Sequence, residues 1–494
     1  MMNGKGKSDR PMVPTKRPNK TATAVAEDAE ERGRTEGNAD EQNADRAQNR
    51  INSAPSALDR VRERARRDKH AKFTALLHHV TIDRLREAYR SLHRNASPGI
   101  DGVTWEQYGM QLEDNLRELH ARLHRGAYRA KPSRRTYIPK ADGRQRPLGI
   151  ATVEDKIVQR AVVEVMNAIY EEEFVGFSYG FRPGRSQHHA LDALAAAIKT
   201  KKVNWVLDAD IRGFFDAIDH GWLVKFVEHR IGDRRIVRLI QKWLNAGIME
   251  QGRWSAMEVG SPQGATVSPL LANIYLHYVL DLWVHQWRKR HARGGLVIVR
   301  YADDLVVGFQ HEEDGRRFLD ELRGRLRQFA LELNDDKTRL IEFGRYANAK
   351  RRGRGERGAA ETFSFLGFVH ICGKSRRGQF LLTRHTDPKR MRATLKAINL
   401  ALKRRRHDPV PVQGKWLGSV VRGYFAYFSV PTNSQVMSRF RSEVIRHWRR
   451  HLCQRSQRHR LNWRRMTRLA DRWLPPSKIQ HPWPEDRFHA KHPR

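Results

Sequence analysis

The chain has 494 residues and carries 94 Lys and Arg against 55 Asp and Glu, which gives a formal net charge of +39. A positive field of this size favours a polyanionic partner, and nucleic acid is the first candidate, with a membrane surface as the competitor. The two cysteines, Cys372 and Cys453, argue against a disulfide framework and a cysteine-based zinc site. No apolar run approaches the ~18 residues that a membrane span needs, and the amino terminus lacks a signal-peptide core. We therefore expect a soluble protein of a reducing, cytoplasmic compartment, associated with RNA or the nucleoid.

Residues 1–56 are polar and have almost no large apolar side chains, so we expect a disordered tail. From residue 57 the pattern becomes helical and basic, until Ser97–Gly102 breaks it. The stretch Tyr137–Ile150 then contains the hairpin turn Asp142-Gly143. Lys140 and Arg146 flank this turn. They either reach toward one anionic ligand or simply solvate edge strands.

A loop rich in Gly, Arg and aromatic residues follows an amphipathic helix predicted over Asp155–Ile169. This loop, Phe177–Ser186, leads into a further helix. Arg182 and Arg185 lie beside the start of that helix, where backbone N–H groups favour phosphate contact. Solvated turn arginines are the alternative interpretation.

The stretch Val203–Asp216 predicts a strand with one apolar and one acidic face. The apolar face is formed by Trp205, Leu207, Ala209 and Ile211. Asp208 and Asp210 point to the opposite side, because side chains alternate along a strand. One side of this strand therefore packs and the other carries charge.

A second acidic element occurs in Leu296–Phe309, where two β-branched runs flank Tyr301-Ala302-Asp303-Asp304. This pattern predicts a buried hairpin with two adjacent carboxylates at its tip. Asp is also simply common in turns. If the first acidic strand lies beside this hairpin, three carboxylates meet, and oxygen ligands of that kind suit Mg²⁺.

The loop Gly260–Pro269 precedes a helix predicted over Leu270–Trp283. Gln263 and Gly264 would let the backbone approach a ligand closely, although the loop could equally be an ordinary connection. Two short stretches farther on, Leu331–Thr338 and Phe363–Phe368, are strand candidates.

From Asp387 the sequence predicts three basic helices with apolar stripes. The stripes are formed by Met391, Leu395, Ile398 and Leu402; by Leu417, Val420, Val421 and Tyr424; and by Val436, Phe440, Val444 and Trp448. The first helix is coated by Lys389, Arg390, Lys396, Lys403, Arg404, Arg405 and Arg406. These basic side chains either keep the helices soluble or form a nucleic-acid-binding surface, and their high density favours the second interpretation. The segment Arg455–Arg494 interleaves basic residues with tryptophans, which suits stacking on nucleic acid.

Seven blocks in this order resemble the bacterial group II intron reverse transcriptase/maturase family. The blocks are Ser97-Pro-Gly-Ile-Asp-Gly, Arg146-Pro-Leu-Gly-Ile, Gly180-Phe-Arg-Pro, Asp210-Ile-Arg-Gly-Phe-Phe-Asp, Ser261-Pro-Gln-Gly, Tyr301-Ala-Asp-Asp and Phe365-Leu-Gly-Phe. The resemblance implies an α+β right-hand polymerase with a ferredoxin-like palm and a helical, basic C-terminal maturase and DNA-binding region. The implied domains are fingers and palm over 57–384, a thumb/maturase domain over 385–454 and a short DNA-binding region over 455–494.

The resemblance also implies roles for individual residues. It selects Asp210 over Asp208 as the first acidic metal ligand, with Ile211 beside it as a further ligand. Asp303 and Asp304 match the second acidic motif and complete the catalytic set that holds two Mg²⁺ ions. The residues implied to bind the dNTP are Lys140, Arg146, Phe215 and Gln263, and Phe215 would exclude a ribose 2′-hydroxyl by bulk.

The implied function is an RNA-directed DNA polymerase that copies group II intron RNA and assists its splicing and mobility. Its partners would be the intron RNA, a DNA target or primer, and dNTPs, and a dimer is possible. A maturase that only folds RNA, and a reverse transcriptase used for defence or diversity, are the alternatives. Many relatives carry an HNH endonuclease with paired cysteines. Nothing of that kind is seen here, so we expect the primer to have another source.

Overall fold

The computed structural model describes residues 57–139, 145–250, 253–255, 260, 264–455 and 461–491. The described residues fall into two units that divide after Gly344. The tail over 1–56, for which we expected disorder, lies outside the described residues. In the part of the chain that is described, no helix combines the length and apolar character needed to cross a membrane.

The first unit contains twelve α-helices among its described residues. They are α1 (Ala57–Arg67), α2 (Ile82–Ser91), α3 (Trp105–Gly109), α4 (Leu112–His124), α5 (Val153–Tyr170), α6 (Gln187–Thr200), α7 (Phe214–Ala217), α8 (His220–Arg230), α9 (Arg234–Asn245), α10 (Ser268–Leu276), α11 (Leu282–Arg290) and α12 (Glu312–Arg327). A 3₁₀ turn (Leu77–His79) precedes α2, and a π-turn (His277–Asp281) joins α10 to α11. The predicted helix over Asp155–Ile169 is α5, which begins after Thr152, whose hydroxyl accepts a hydrogen bond from the Asp155 N–H.

The strands of the first unit form two four-stranded sheets. They are β1 (Ser133–Pro139), β2 (Gln145–Ile150), β3 (Trp205–Asp210), β4 (Ile248–Glu250), β5 (Arg253–Ser255), β6 (Leu296–Tyr301), β7 (Asp304–Phe309) and β8 (Arg339–Glu342). The fingers sheet has the order β2-β1-β4-β5, and the palm sheet has the order β6-β7-β3-β8.

The palm sheet confirms the ferredoxin-like prediction. All its neighbouring strands are antiparallel. Helices α7 to α11 lie between β3 and β6 along the chain, and α12 lies between β7 and β8. The spatial order is thus fourth, first, third and second strand, and the helices occur between the first and second and between the third and fourth strands.

The predicted two-faced strand is β3. Leu207, Ala209 and Ile211 are buried in the main hydrophobic core of this unit, whereas Asp208 and Asp210 are only half-buried. Burial of the apolar face fixes the register, because a slip by one residue would turn the carboxylates into the core.

The predicted hairpin over Tyr137–Ile150 is present as β1 and β2, which pair antiparallel up to Pro139 and Gln145. The predicted turn at Asp142-Gly143 and Lys140 lie outside the described residues. In the fingers sheet β1 also pairs in parallel with β4, so this hairpin is joined to the segment that follows α9.

Of the two predicted short strands, the one over Leu331–Thr338 is wrong. It is irregular apart from a bridge between Leu333 and Ile211, and regular pairing begins only at β8. The second candidate, Phe363–Phe368, is split by a tight turn, because Leu366 and Gly367 have positive φ angles of 48° and 78°.

The second unit pairs a three-stranded sheet with helices. Its elements are α13 (Ala347–Gly353), β9 (Phe363–Phe365), β10 (Phe368–Lys374), β11 (Phe380–Thr386), α14 (Pro388–Arg404), α15 (Val410–Phe428), α16 (Ser434–Cys453), α17 (Trp463–Trp473) and α18 (Pro484–Lys491). The three predicted basic helices are α14, α15 and α16. Their predicted stripes are buried except for Met391 and Val436, which are half-buried, and Met437 is buried where Val436 was expected. The strands β9 to β11 fall in this unit, whereas the sequence placed the border after residue 384.

His370 gives the second unit an acid-sensitive point. Its ring is fully buried, stacks on Phe363 with the ring centroids 4.6 Å apart, and lies across from Arg384 in the β10–β11 pairing. Burial, and then the charge of Arg384, lower the pKa of His370 to about 3. Since an ordinary histidine titrates near pH ~6.5, the unfolded chain binds a proton that the folded unit excludes. Stability is therefore lost progressively as the pH falls from about 6.5 toward about 3.

We expect His370 to lower the free energy of opening of the surrounding strands by about 2 kcal/mol as the pH falls from about 6.5 to about 5. His370→Gln removes the titrating group and should abolish that part of the loss. Hydrogen exchange of the β10 amides, compared between variant and wild type at each pH, measures it. His385→Gln, at a half-buried position on β11, is the matched control. An equal acid response in wild type and His370→Gln would contradict the prediction.

Candidate active site

The two acidic elements meet in the palm sheet. In the pairing of β3 with β7, the Cα atoms of Asp210 and Asp304 are direct cross-strand partners. Such partners lie ~4.5–5.5 Å apart in an antiparallel sheet. Two carboxylates from distant parts of the chain therefore occur side by side at one end of the two central strands, as the sequence predicted.

The third carboxylate lies in the turn of the β6–β7 hairpin. Tyr301 pairs with Asp304, so the connection is the two-residue turn Ala302-Asp303. Two-residue hairpin turns fit the strand twist when a central residue has a positive φ, and this residue is usually Gly or Asn. Ala302 adopts a φ of 55°, a conformation that is strained for alanine and that functional sites frequently retain.

Gly180 explains how the turn is enclosed. A Cβ atom on Gly180 would lie 2.3 Å from the Ala302 nitrogen, so only glycine allows this approach. The preceding Phe177 carbonyl accepts a hydrogen bond from the Arg300 N–H, and the Tyr179 N–H donates to the Arg300 carbonyl, both over 2.9 Å. The segment that leads into the Gly180-Phe-Arg-Pro block is thus hydrogen-bonded through its backbone to β6.

Lys337 is a residue that sequence reasoning missed. Its ammonium donates to Asp210 Oδ2 over 2.9 Å, and the Asn334 amide donates to the same oxygen over 3.2 Å. Burial alone would lower the pKa of Lys337, but the hydrogen bond to Asp210 and the charges of Asp304 and Asp303 raise it above its usual value. The Lys337 ammonium therefore interacts electrostatically with all three carboxylates.

These side chains fit a divalent cation in donor chemistry. All three are carboxylates, which suit Mg²⁺, and a positive charge is already drawn to them. Among the residues that the structure describes, however, no group of three or more His, Cys, Asp or Glu side chains is arranged as a metal site. The assignment of metal ligands therefore stays a prediction.

Asp208 is electrostatically different from its neighbours. Burial raises its pKa to about 6, Arg339 opposes this shift, and Asp210 reinforces it. Asp208 lies two residue pairs farther along the strand, opposite Val306 and Arg339 and not opposite the acidic turn. The choice of Asp210 over Asp208 as a metal ligand stays a prediction.

Phe215 lies in α7, directly after the acidic strand, and is half-buried. Its ring meets Phe181 edge-on with the centroids 6.4 Å apart, and Phe181 in turn lies 6.5 Å from the Tyr301 ring. The Phe215 ring is thus linked through Phe181 to Tyr301, which precedes the acidic turn. Ile211 is buried and bridged to Leu333, and its role beside Asp210 stays a prediction.

The loop that contains Gln263 begins against α7. The Gly260 N–H donates to the Ile218 carbonyl over 2.8 Å, and a Cβ on Gly260 would lie 3.0 Å from the Asp216 carbonyl oxygen. Gln263 itself lies outside the described residues, as does Lys140. Arg146 is exposed on β2 of the fingers sheet, and its contact with a triphosphate stays a prediction.

The structure argues against a phosphate contact for Arg182. Its guanidinium is buried and donates to Glu171 and to the carbonyls of Val175 and Ser178. Arg185 also donates to backbone, at the Ser178 carbonyl over 2.9 Å and at the Gly176 carbonyl. Both arginines therefore use their N–H donors within the protein and stabilise the loop. The sequence pattern could not predict this, because it does not show which acceptors lie nearby.

The predicted basic surface lies on α14. Lys389, Arg390, Lys396 and Arg404 are exposed there. Arg405 and Arg406 follow the helix and are half-buried. Arg405 pairs with Asp408 over 3.2 Å and lies over the Trp416 ring. The helix therefore keeps an exposed positive face, whereas its end is partly neutralised.

Comparison with known proteins identifies the class. The family model described as "Reverse transcriptase (RNA-dependent DNA polymerase)" matches residues 138–370. That stretch includes β2 and all four strands of the palm sheet. The fold and the site thus define an RNA-dependent DNA polymerase with a right-hand architecture.

Individual relatives give the family. Protein YkfC of Escherichia coli (strain K12) is 36% identical over 316 residues, which cover 57% of this chain and 78% of YkfC. Group II intron-encoded protein LtrA of Lactococcus lactis subsp. cremoris is 35% identical over 238 residues, 48% of this chain and 39% of LtrA. The Putative COX1/OXI3 intron 1 protein of Saccharomyces cerevisiae is 28% identical over 308 residues, 52% of this chain and 36% of that protein. The chain belongs to the reverse transcriptase family of group II intron-encoded proteins.

Two of these matches cover well under half of the relative. The activities of those whole proteins can therefore only be proposed for this chain. A solved structure, apo telomerase from Candida tropicalis truncated from its C-terminal domain, aligns with a TM-score of 0.39 and 13% identity over 51% of this chain and 55% of that chain. Similarity at this level does not establish a common fold or function.

Proposed function

We propose that this protein copies group II intron RNA into DNA by two-metal nucleotidyl transfer, and that it assists the splicing and mobility of that RNA. The observation that carries the proposal is the pairing of Asp210 with Asp304 beside the turn that holds Asp303. Carboxylates that converge in this way repel one another unless cations neutralise them. Lys337 supplies one positive charge, and divalent ions would supply more.

Asp210, Asp303 and Asp304 would hold two Mg²⁺ ions, with Ile211 as a further ligand. When bound, such ions supply an activated primer 3′-hydroxyl and neutralise charge on the leaving pyrophosphate. The residues of the chain hold the carboxylates in register and seat the sugar of the incoming nucleotide on Phe215.

Three other residues would act on the nucleotide itself. Lys140 and Arg146 would offset charge on the triphosphate, and Gln263 would border the base-paired nucleotide. Arg146 lies in β2 near the end of the β1–β2 pairing, opposite Ile138. Gly260, three residues before Gln263 in the sequence, lies against α7. These neighbourhoods support the proposal.

The exposed residues of α14 would bind the backbone of the template RNA. Lys389, Arg390, Lys396 and Arg404 carry charge without sequence information, which suits recognition of A-form RNA by shape and phosphate. Arg405 and Arg406 would contribute less, because they are half-buried. The partners would be intron RNA, a DNA target or primer and dNTPs, met in the cytoplasm at the nucleoid.

The protein should extend an oligo(dT) primer on poly(rA) with Mg²⁺ and dNTPs. It should also accelerate splicing of the group II intron RNA that flanks its coding region, at an Mg²⁺ concentration too low for self-splicing. Extension is measured by product length on a gel, and splicing by the rate of ligated-exon formation. Omission of Mg²⁺ is the control for the first assay, and an unrelated intron is the control for the second.

The two assays separate the alternative functions. Splicing without extension would replace the proposal by a maturase that only folds RNA. Extension without any effect on the flanking RNA, or the absence of such an intron, would favour a reverse transcriptase of the defence or diversity type. Failure of both assays would overturn the proposal.

A further inference from the structure

Arg300 and Asp281 form a completely buried ion pair in the palm. Arg300 Nε donates to Asp281 Oδ1 over 2.7 Å and Nη2 donates to Oδ2 over 2.6 Å, and neither side chain exposes any surface. A buried pair of this kind is weak evidence for stability, because removing two charges from water opposes their attraction. Its better-attested use is to specify one conformation, and the other contacts of Arg300 indicate which one.

The remaining hydrogen bonds of the Arg300 guanidinium point at the catalytic turn and its support. Nη1 donates to the Ala302 carbonyl over 3.0 Å and to Asn273 Oδ1 over 3.1 Å. Nη2 also donates to the Ser178 hydroxyl over 2.7 Å. The planar guanidinium thus binds the turn, a helix and a loop at once, which a lysine ammonium cannot reproduce.

Asn273 closes a ring of contacts around the turn. Its amide donates to the Gly180 carbonyl over 2.8 Å, and Gly180 is the residue whose missing Cβ makes room for the Ala302 nitrogen. Ala302 is therefore held through its carbonyl by Arg300 and is enclosed at its nitrogen by Gly180. This enclosure is what keeps an alanine at a φ of 55°.

Asp281 reaches Arg300 from an irregular helix. It is the last residue of the π-turn His277–Asp281 between α10 and α11. Single π-turns inside helices occur frequently at functional sites. The carboxylate that fixes Arg300 is thus presented by a specialised local geometry rather than by a regular helical turn.

We infer that Arg300, fixed by Asp281, is the positioning residue that sets the conformation of Ala302 and thereby places Asp303 and Asp304 for metal binding. The identity of the bound cation rests on the proposed function, whereas the conformation of the turn does not. Arg300 touches neither substrate nor metal in this scheme and acts only through the backbone of the turn.

Arg300→Lys tests the inference, with Arg230→Lys as the matched control. Arg230 is also fully buried, pairs with Glu173 and donates to the carbonyls of Asp68 and Lys69 in the same unit. Two measurements are made on the full-length protein: Mn²⁺ affinity by electron paramagnetic resonance, and hydrogen exchange of the amides of residues 302–305.

We expect Arg300→Lys to weaken Mn²⁺ binding by about tenfold or more, as loss of groups behind metal ligands does, and to accelerate exchange at 302–305. Arg230→Lys should lower the melting temperature to a similar degree and leave both readouts near the wild-type values. Wild-type affinity and exchange in a folded Arg300→Lys, or equal losses in both variants, would overturn the inference. If Arg300→Lys does not fold, Asn273→Ala, which spares the ion pair, takes its place with the same two outcomes.

The proposed function can fail separately. Mn²⁺ binding that is insensitive to Asp304→Asn would remove the proposed metal site. Exchange at residues 302–305 would still decide whether Arg300 sets the turn.

Discussion

Asp304→Asn abolishes primer extension: on poly(rA)/oligo(dT) with Mg²⁺, we expect the rate to fall at least about 10³-fold, which is about 4 kcal/mol of transition-state stabilisation. The reason is that Asp304 is the cross-strand partner of Asp210, so the amide removes one of two adjacent carboxylates that we propose as metal ligands. Asp303→Asn should give a loss of the same order. Gel-resolved extension under single-turnover conditions measures both.

Asp208→Asn is the matched control for these variants. Asp208 has the same side chain, lies on the same strand and faces the same side as Asp210, but it is paired with Val306 and Arg339. We expect its loss to reduce extension by less than about tenfold. All three variants should bind template RNA with nearly wild-type affinity, because phosphate contacts supply that binding. Full extension by Asp303→Asn or Asp304→Asn would refute the site.

The sequence predicted the parts of this site that depend on strand periodicity. The two-residue alternation in β3 set Leu207 and Ala209 against Asp208 and Asp210, and burial follows that division. The apolar runs that flank Tyr301-Ala302-Asp303-Asp304 became β6 and β7. Patterns of this kind are local, and a buried face leaves each strand one register.

The contacts that hold the site could not be predicted in the same way. Lys337 reaches Asp210 from an irregular loop whose residues had suggested a strand. The pairing of Arg300 with Asp281 depends on how a π-turn packs against β6. No spacing rule joins such residues, because their proximity is a product of tertiary packing.

Arg182 shows the opposite error. A loop arginine before a helix looks like a phosphate ligand in sequence, because helix N-termini attract anions. In the structure its guanidinium instead satisfies Glu171 and two loop carbonyls. An arginine has five N–H donors, and the interior of a loop can use all of them before any ligand arrives. Sequence alone does not show which side of the loop an arginine takes.

Phe215→Ala should make the enzyme accept ribonucleotides, with the ratio of kcat/KM for dTTP over UTP falling by about 10²-fold. The ring is half-buried and is braced by Phe181 and Phe214, with centroids 6.4 and 5.4 Å away. A braced ring cannot turn aside for a 2′-hydroxyl, so the discrimination that we propose for Phe215 would be steric and would disappear with the bulk of the ring. Phe215→Val should show an intermediate effect, because part of the bulk remains.

The control for this prediction is the neighbouring residue. Phe214 is only 2% exposed and belongs to the core, so Phe214→Leu should lower stability and leave the dTTP/UTP ratio unchanged. Single-nucleotide incorporation on poly(rA)/oligo(dT) measures the ratio, and thermal unfolding measures stability. If a well-folded, active Phe215→Ala retains the wild-type ratio, Phe215 does not touch the sugar, and the nucleotide must lie elsewhere in relation to α7. Because the ratio compares two substrates on one enzyme preparation, a loss of folded protein cannot imitate the expected result.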